Sequence, residues 1–468
     1  MTDAAAAWSG GVASAEGEQG NDGQNDDGAM DVSTPPDGTG RIAASARSLA
    51  ALVAEAAPSA LAVRLWTGET LKLGPEADGT VGVAINAPAA LVRLVRRPRL
   101  TTLIELIASG AVELYGGTLL DIEARRGRAA RGAWRRLPKR KLAGALLPLL
   151  LARGMATTTH HAYAGPAQAR VEDGRDDAAL IRFHYDLSNA FYALFLDPEM
   201  QYSCAYFPDW DAPLEAAQQA KLEMTCRRLR LAPDERFLDI GCGWGGLICH
   251  AAREHGVRAH GVTLSEEQFV FVQEKIARLG LTDRVTVALQ DYREVSGEWD
   301  KIASVGMFEH VGLDNHATYF RRMRDLLRPR GLLLNHAITR PAKKDERTFR
   351  RKRAEYAALT RYIFPGGELD HIGRTLTSLE QAGFEVHDVE GWREHYARTC
   401  RLWTERLAAR REEAEAEVGP AKTRLWLLYL AGCALAFERG GALIYQVLAS
   451  KRARGQSGLP PTRADLYR

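Results

Sequence analysis

The first forty residues contain no lysine and no arginine, and almost no large apolar side chain. Gly, Ala, Ser, Asp and Asn dominate there, so the segment buries too little surface to offset its ordering entropy. Residues 1–40 are therefore expected to be a disordered acidic tail. Cysteine is also scarce. The six, at 204, 226, 242, 249, 400 and 433, show no ligand-type spacing, so no metal site is expected. They read as free thiols in a reducing compartment. No apolar run reaches membrane-spanning length and no secretory leader is visible, which points to the cytoplasm. A net charge of +3 is too small to argue for a nucleic-acid partner.

What is present is a chain of 468 residues, 46% hydrophobic and 26% charged, long enough for two domains and a sizeable core. Its most informative stretch is residues 237–247, Phe-Leu-Asp-Ile-Gly-Cys-Gly-Trp-Gly-Gly-Leu. It reads as a buried strand, a tight turn and the start of a helix. Gly241, Gly243 and Gly245 can take positive φ and let a ligand lie against the backbone. The helix behind them aims free N–H groups at the turn. This is not the Gly-x-Gly-x-x-Gly dinucleotide pattern. The tighter spacing is the one associated with S-adenosylmethionine. From these residues alone, a strand–helix turn without a ligand stays open.

Residues 41–123 read as a small α+β domain, with a helix over 43–56 and strands near 60–66, 81–85 and 111–115. Residues 124–177 follow as a basic linker and an apolar helix. Nine basic residues, from Arg125 to Lys141, surround Trp134 and precede the apolar run 142–152. An anionic bilayer attracts such a pairing at about 1 kcal/mol per basic residue. A solvated linker with a core helix is the competing reading. The aromatic-rich stretch 183–207 reads as a cap, with core packing the alternative for any one ring. From 235 to 450, strands and helices alternate as in a doubly wound sheet. Strands are expected to end at Ile240, Leu264, Leu289 and Val305, with further strands over 331–338, 384–389 and 442–448. Residues 339–373 form a long excursion of the kind that serves as a lid. Residues 451–468 are a tail.

Taken together, residues 178–450 resemble the cyclopropane-fatty-acid synthase family of S-adenosylmethionine-dependent methyltransferases. The matching stretches are 183–189, 200–207, 238–247, Gly261-Val262-Thr263-Leu264-Ser265 with Gln268, Gln290-Asp291-Tyr292, 304–312 and 361–367. The resemblance implies an α/β fold: a Rossmann-like class I methyltransferase sheet with a helical cap, preceded by a small α+β domain that is lipid-associated. Where the family usually reads Leu-Pro-Ser after the lid glycines, this chain has Leu369-Asp370-His371.

Carried over by position, the resemblance places S-adenosylmethionine against Tyr202, Ser203, Asp239, Gly241, Cys242, Gly243, Trp244, Gly245, Thr263, Leu264, Gln268, Asp291 and Tyr292. Several of these follow the first three strands, where ligands of such sheets sit. It also implies a bound bicarbonate as base, held by Cys204, Glu309, His336, Ile338 and Tyr396, with Glu309 protonated beside the anion. Cys433 matches a cysteine once assigned an active-site role in the family and ranks below that set. An alkene attacked by a sulfonium methyl leaves a carbocation, and Tyr202, Tyr206, Tyr362, Phe364 and Trp403 are the candidate faces to steady it. The implied activity is methylenation of cis double bonds in unsaturated phospholipids at a membrane surface, with a homodimer left open. A methyltransferase that stops at a methyl branch or methylates a small amine, and an inactive lipid-binding or scaffold protein, are the competing readings.

Overall fold

The computed structural model describes residues 39–127, 137–152, 187–351, 354–364 and 367–467. The acidic stretch 1–38, the basic residues Arg128, Arg131, Arg135 and Arg136 with Trp134, the 183–186 part of the aromatic stretch, and Pro365 and Gly366 lie outside the described residues.

The first unit opens with α1 (Thr39–Ala56) and continues through β1 (Ala62–Leu65), β2 (Thr70–Lys72), β3 (Gly82–Ile85), α2 (Pro88–Arg96), α3 (Leu100–Ala108), β4 (Val112–Tyr115) and α4 (Leu119–Arg125). Its sheet runs β2-β1-β3-β4, with β1 parallel to β3 and antiparallel to β2. Strand β2 has no counterpart in the sequence reading. It is a three-residue edge strand with no buried face, so it carries no alternation to detect. Helix α5 (Lys139–Leu151) does not lie in a free linker: Leu149 packs with Ile42, Ala46, Leu65, Leu91 and Val92. Its other face leaves Leu147, Leu150 and Leu151 exposed.

The second unit begins with the short α6 (Asn189–Ala193) and α7 (Leu214–Leu229). The doubly wound part follows: β5 (Arg236–Ile240), α8 (Gly246–His255), β6 (Arg258–Thr263), α9 (Glu266–Arg278), β7 (Val285–Leu289), β8 (Trp299–Val305), α10 (His316–Leu326) and β9 (Leu327–Thr339). Next come α11 (Glu346–Arg350), α12 (Ala354–Tyr362), α13 (Ile372–Gln381), β10 (Phe384–Gly391), α14 (Arg393–Ala409), α15 (Arg411–Val418), α16 (Pro420–Glu438) and β11 (Leu443–Lys451). The sheet order is β10-β11-β9-β8-β5-β6-β7. Strands β5 to β9 pair in parallel, and β11 runs antiparallel to both β9 and β10. Helices cover both faces, which is why β5 reads as an apolar run broken only by Asp239, with Phe237, Leu238 and Ile240 each 0% exposed. Strand β9 starts four residues before the apolar run at Gly331, because its first residues after Leu327 are exposed Arg328, Pro329 and Arg330.

A cap of α6, α14, α15 and α16 closes one end of the sheet around Phe191, Tyr192, Phe195, Trp403 and Trp426. The rings meet edge-on or tilted, as at Phe191–Trp426 (5.4 Å between centroids) and Tyr202–Trp403 (5.2 Å). Polar contacts fasten the first unit to this cap. Arg424 on α16 pairs with Glu113 (2.9 Å), Arg439 with Glu123 (2.6 Å), and the Tyr362 hydroxyl donates to Glu105 (2.9 Å).

The excursion after β9 is held at its end by Leu369-Asp370-His371. Asp370 is buried, bridging to Thr339 in parallel pairing, ion-pairing with Arg374 (2.6 Å) and hydrogen-bonding with His316 Nδ1 (3.1 Å). His371 Nδ1 accepts from the Arg374 N–H and caps α13. The residues that depart from the family's usual pattern form an acid-centred anchor in this chain.

Candidate active site

The turn after β5 makes a cavity at the carboxyl ends of the parallel strands, where ligands of such sheets bind. Gly241, Gly243 and Gly245 have φ of 78°, 55° and 74°. The outer two are confined by protein: a Cβ at Gly241 would meet Met307 at 3.0 Å, and one at Gly245 would meet Val272 at 2.9 Å. At Gly243 nothing lies within 4 Å, so a side chain there would enter the space the turn encloses. The wall is Tyr202, Ser203, Asp239, Gly241, Cys242, Gly243, Trp244, Thr263, Leu264, Gln268 and Tyr292, together with Gln201, Lys221, Met307 and His310.

Two of the expected cofactor contacts do not line this wall. Gly245 is the left-handed N-cap of α8 and faces Val272. The Asp291 carboxylate is turned to Arg293, whose Nε and Nη2 donate at 2.9 and 2.8 Å. Its neighbours Gln290 and Tyr292 line the cavity instead. Thr263 and Gln268 line it while bonded to each other, Thr263 Oγ1 donating to Gln268 Oε1 at 2.8 Å.

The charged groups are arranged for a zwitterion. Asp239 is 3% exposed, its carboxyl pushed up to about 7 by burial against the opposing pull of Lys221, and its Oδ1 has no partner. Lys221 is 2% exposed; its Nζ donates to Ser203 Oγ (3.0 Å) and to Gln201 Oε1. Burial pulls the ammonium down to about 8, with Asp197 and Asp239 among the groups resisting. An orphaned buried carboxylate oxygen, a buried ammonium and a glycine cradle fit the ammonium and carboxylate of an amino-acid end.

Glu309 adjoins this cavity, flanked by the lining residues Met307 and His310. It is 2% exposed, and its Oε1 accepts from the Ile338 N–H at 2.6 Å. Its Oε2 has no partner, and burial pushes the carboxyl up to about 7. The direction is the expected one, with burial as its cause. His336, on β9, receives Gln446 Nε2 at its Nδ1 (2.9 Å), which leaves the proton on Nε2; that atom too is buried without a partner. Burial takes His336 down to about 3, so the ring is neutral. Cys204, Ile338, Tyr396 and Cys433 gather in or against one apolar cluster with Tyr202, Tyr206 and Trp403. Burial raises the Cys204 thiol, the Tyr396 phenol and the Cys433 thiol, the last to about 12, with Tyr429 hydrogen-bonded to it. The Tyr429 hydroxyl lies 3.3 Å from that of Tyr202, which links Cys433 to the cavity wall.

The family described as "Mycolic acid cyclopropane synthetase" matches residues 172–447. The chain belongs to this family. It is thereby an S-adenosylmethionine-dependent C-methyltransferase of the class I fold. A "Probable fatty acid methyltransferase" of Pseudomonas putida is 40% identical over 412 residues, 87% of this chain and 96% of that protein. The cyclopropane-fatty-acyl-phospholipid synthase of Escherichia coli (strain K12) is 40% identical over 268 residues, 57% of this chain and 66% of that one. The solved structure of the mycolic acid cyclopropane synthase CmaA1 complexed with SAH and CTAB is 33% identical, with a TM-score of 0.56. It covers 60% of this chain and 100% of its own.

Sequence reasoning passed over Lys221 and Gln201 in this member of the synthetase family, whereas the Glu309-His310 pair after the fourth strand was expected at the site rather than in an exposed loop. A signal was present for the first. Gln218, Lys221 and Thr225 recur at helical spacing of three and four on α7, and all three are buried, so the stripe is an inward polar face. The five aromatic candidates divide. Tyr202 and Trp403 face each other; Tyr206 lies against Trp392 (5.0 Å) and Phe364 stacks on His310 (4.4 Å). Tyr362 turns its hydroxyl to Glu105 of the first unit.

Proposed function

We propose that this chain adds a methylene carbon to cis double bonds of phospholipid acyl chains, closing a cyclopropane ring. The observation that carries the reading is Glu309: a buried carboxyl anchored on the Ile338 N–H, with a free Oε2, next to both the strand-end cavity and a dry aromatic cluster. When bound, S-adenosylmethionine supplies the methyl carbon and bicarbonate the base. Asp239 and Lys221 hold the ammonium and carboxylate of the amino-acid end. The faces of Tyr202 and Trp403 steady positive charge on the acyl chain by about 2 kcal/mol in a desolvated site. Protonated Glu309 donates from Oε2 and neutral His336 from Nε2, two donors suited to one small anion.

The lipid substrate is reached at an anionic bilayer surface. Among the described residues no helix is long and apolar enough to cross a membrane. Helix α5 offers exposed Leu147, Leu150 and Leu151 on the same helix as Lys139, Arg140 and Lys141. Replacing those three basic residues with Gln is expected to weaken sedimentation with anionic vesicles and leave neutral vesicles unaffected; unchanged sedimentation removes α5 from the reading.

A second reading is favoured by the reach of one similarity: the Pseudomonas putida fatty acid methyltransferase matches along nearly its whole length, first unit included. On that reading the product is a methyl branch. The test is mass spectrometry with proton NMR of phospholipid vesicles and of free fatty acids incubated with the full chain and S-adenosylmethionine. A gain of one carbon and two hydrogens with cyclopropyl protons in phospholipid supports the first reading. A branched product, or turnover of free fatty acids alone, rejects it.

A further inference from the structure

Lys221 and Glu223 lie two residues apart on α7 and so point to different faces. Lys221 serves the cavity, while Glu223 meets the last turns of α8. Glu223 Oε2 lies 3.1 Å from His250 Nε2 and 3.1 Å from His255 Nε2. Cys226, one turn along α7 from Glu223, completes the group: its Sγ and one nitrogen of each histidine all lie within 4.8 Å of one another. Cys226 is 0% exposed and His250 4%, whereas the side chains of His255 and Glu223 are 18% and 31% exposed.

We propose that Cys226, His250 and His255, with the Glu223 carboxylate, bind a zinc-class divalent transition-metal ion that clasps α7 to α8. The inference is independent of the proposed lipid chemistry. The donor set is one thiolate, two imidazoles and a carboxylate, which suits zinc by ligand type and by number. Tetrahedral ligation at Zn–S ~2.3 Å and Zn–N ~2.0 Å sets donor atoms roughly 3.3–3.8 Å apart. The ligand atoms of Cys226, His250 and His255 already lie within 4.8 Å of one another, and the Glu223 carboxylate contacts both histidines beside them. The expectation of no metal rested on cysteine spacing along the chain; here the fold brings histidines of a second helix to a single cysteine.

Outer partners are in place. Gln219 Nε2 lies 3.1 Å from His250 Nδ1, and Arg227 holds Glu223 Oε1 at 2.6 Å. With metal on Nε2, the His250 Nδ1 carries the proton and Gln219 turns its carbonyl oxygen to it. Coordination breaks the Cys226 Sγ–H bond and forms an Sγ–metal bond, and the proton leaves to water. The half-exposed edge at His255 and Glu223 is the way in. Because α8 starts at the glycine turn, the clasp fixes the far end of the helix that bounds the cofactor cavity.

The test uses the full chain freed of metal by a chelator, then titrated with Co²⁺ and afterwards Zn²⁺. One Co²⁺ per chain is expected, with a thiolate-to-cobalt charge-transfer absorption that Zn²⁺ displaces. Cys226→Ser loses that absorption, while Cys249→Ser, a neighbouring cysteine, keeps it. His255→Gln lowers affinity at least about tenfold. Zn²⁺ raises the melting temperature of the parent and not of Cys226→Ser. Should Cys226→Ser fail to fold, His255→Gln at a partly exposed position still decides. Absence of the absorption in the parent, its survival in Cys226→Ser, or undiminished affinity in His255→Gln overturns the proposal and leaves a hydrogen-bonded His–Glu–His group.

Discussion

Lys221 in the strand-end cavity and Glu309 beside the aromatic cluster are buried to the same degree, yet their surroundings treat charge oppositely. Lys221 has Ser203 and Gln201 as acceptors and two carboxyls, Asp197 and Asp239, within electrostatic reach. Its ammonium therefore survives burial. Glu309 has one backbone N–H, and its neighbours favour neutral forms: burial takes His336 down to about 3 and Cys433 up to about 12. The cavity is built to receive the charged ends of a ligand. The cluster keeps its own groups neutral; under the proposed function, charge formed in the reaction meets donors and ring faces there rather than competing ions. Each variant below removes one side of that contrast.

The largest effect is expected from Gly243→Val. The added side chain meets no protein atom within 4 Å at Cβ, so the fold loses only about 1–2 kcal/mol for a left-handed non-glycine residue. It does fill the space meant for the ligand. Calorimetric titration with S-adenosylmethionine is expected to show no binding, with Gly243→Ala intermediate. Undiminished affinity in the valine variant would place the ligand elsewhere.

That prediction was open to sequence reading because the glycines stand at alternate positions of one short stretch and announce their own geometry. The sheet was legible because strand and helix patterns alternate along 235–450; the last strand, β11, forms where the pattern placed it but pairs between β9 and β10 rather than closing the edge. What was not legible depends on which side of an element faces inward. Lys221 carries only the signal of its stripe with Gln218 and Thr225, whose inward direction is fixed once α7 is seen packed against the core. Asp291 reads as a cofactor contact until Arg293 is seen to hold it. The Cys226, His250 and His255 group arises from two helices and has no spacing to read.

Next in size is Glu309→Gln, directed at the neutral side of the contrast. If Glu309 positions the base, the kcat for ring formation falls by about 10²–10⁴, with KM and S-adenosylmethionine affinity nearly unchanged. Full ring formation by this variant would move the base site elsewhere, with Cys433 the next candidate. Stability gives a second readout. The folded carboxyl is raised from 4.5 to about 7, so its contribution is present below about pH 4.5 and is lost as pH rises to about 7. Relative to the parent, Glu309→Gln is therefore expected to gain up to ~3 kcal/mol across that window and to level off above it. A difference between the two proteins that is flat from pH 4 to pH 8, about the whole window, would show that Glu309 ionises freely in the fold.

A smaller effect is expected from Lys221→Met on the charged side. Losing a charge-assisted hydrogen bond costs about 1.5–3 kcal/mol, or roughly 10- to 100-fold in affinity for S-adenosylmethionine. The decarboxylated analogue, lacking the group Lys221 is held to meet, should bind parent and variant alike. In the parent, affinity should decline as pH rises through about 8, where the ammonium is lost. Equal losses for both ligands would show that Lys221 supports the fold of the cavity rather than the carboxylate.

The smallest effect is expected at Tyr362, where the contrast can be resolved within one side chain. Its ring belongs to the aromatic cluster, but its hydroxyl leaves it to donate to Glu105, and burial with Glu105 pushes the phenol up to about 12. Tyr362→Phe keeps the ring face and removes the hydroxyl. Glu105 retains its ion pair with Arg93, so no buried charge is stranded and the stability loss should stay near 1 kcal/mol. If only the ring serves the acyl chain, the rate of ring formation should fall less than about fivefold, a loss on the order of that single hydrogen bond. Tyr362→Leu then shows what the face contributes: removing a cation–π partner in a desolvated site costs up to about 2 kcal/mol, roughly thirtyfold. A large rate loss already in Tyr362→Phe would mean that the contact with the first unit, rather than the ring, sets the position of α12 during turnover. Equal rates for the parent, Phe and Leu proteins would remove Tyr362 from the cation-stabilising set and leave that role to Tyr202 and Trp403.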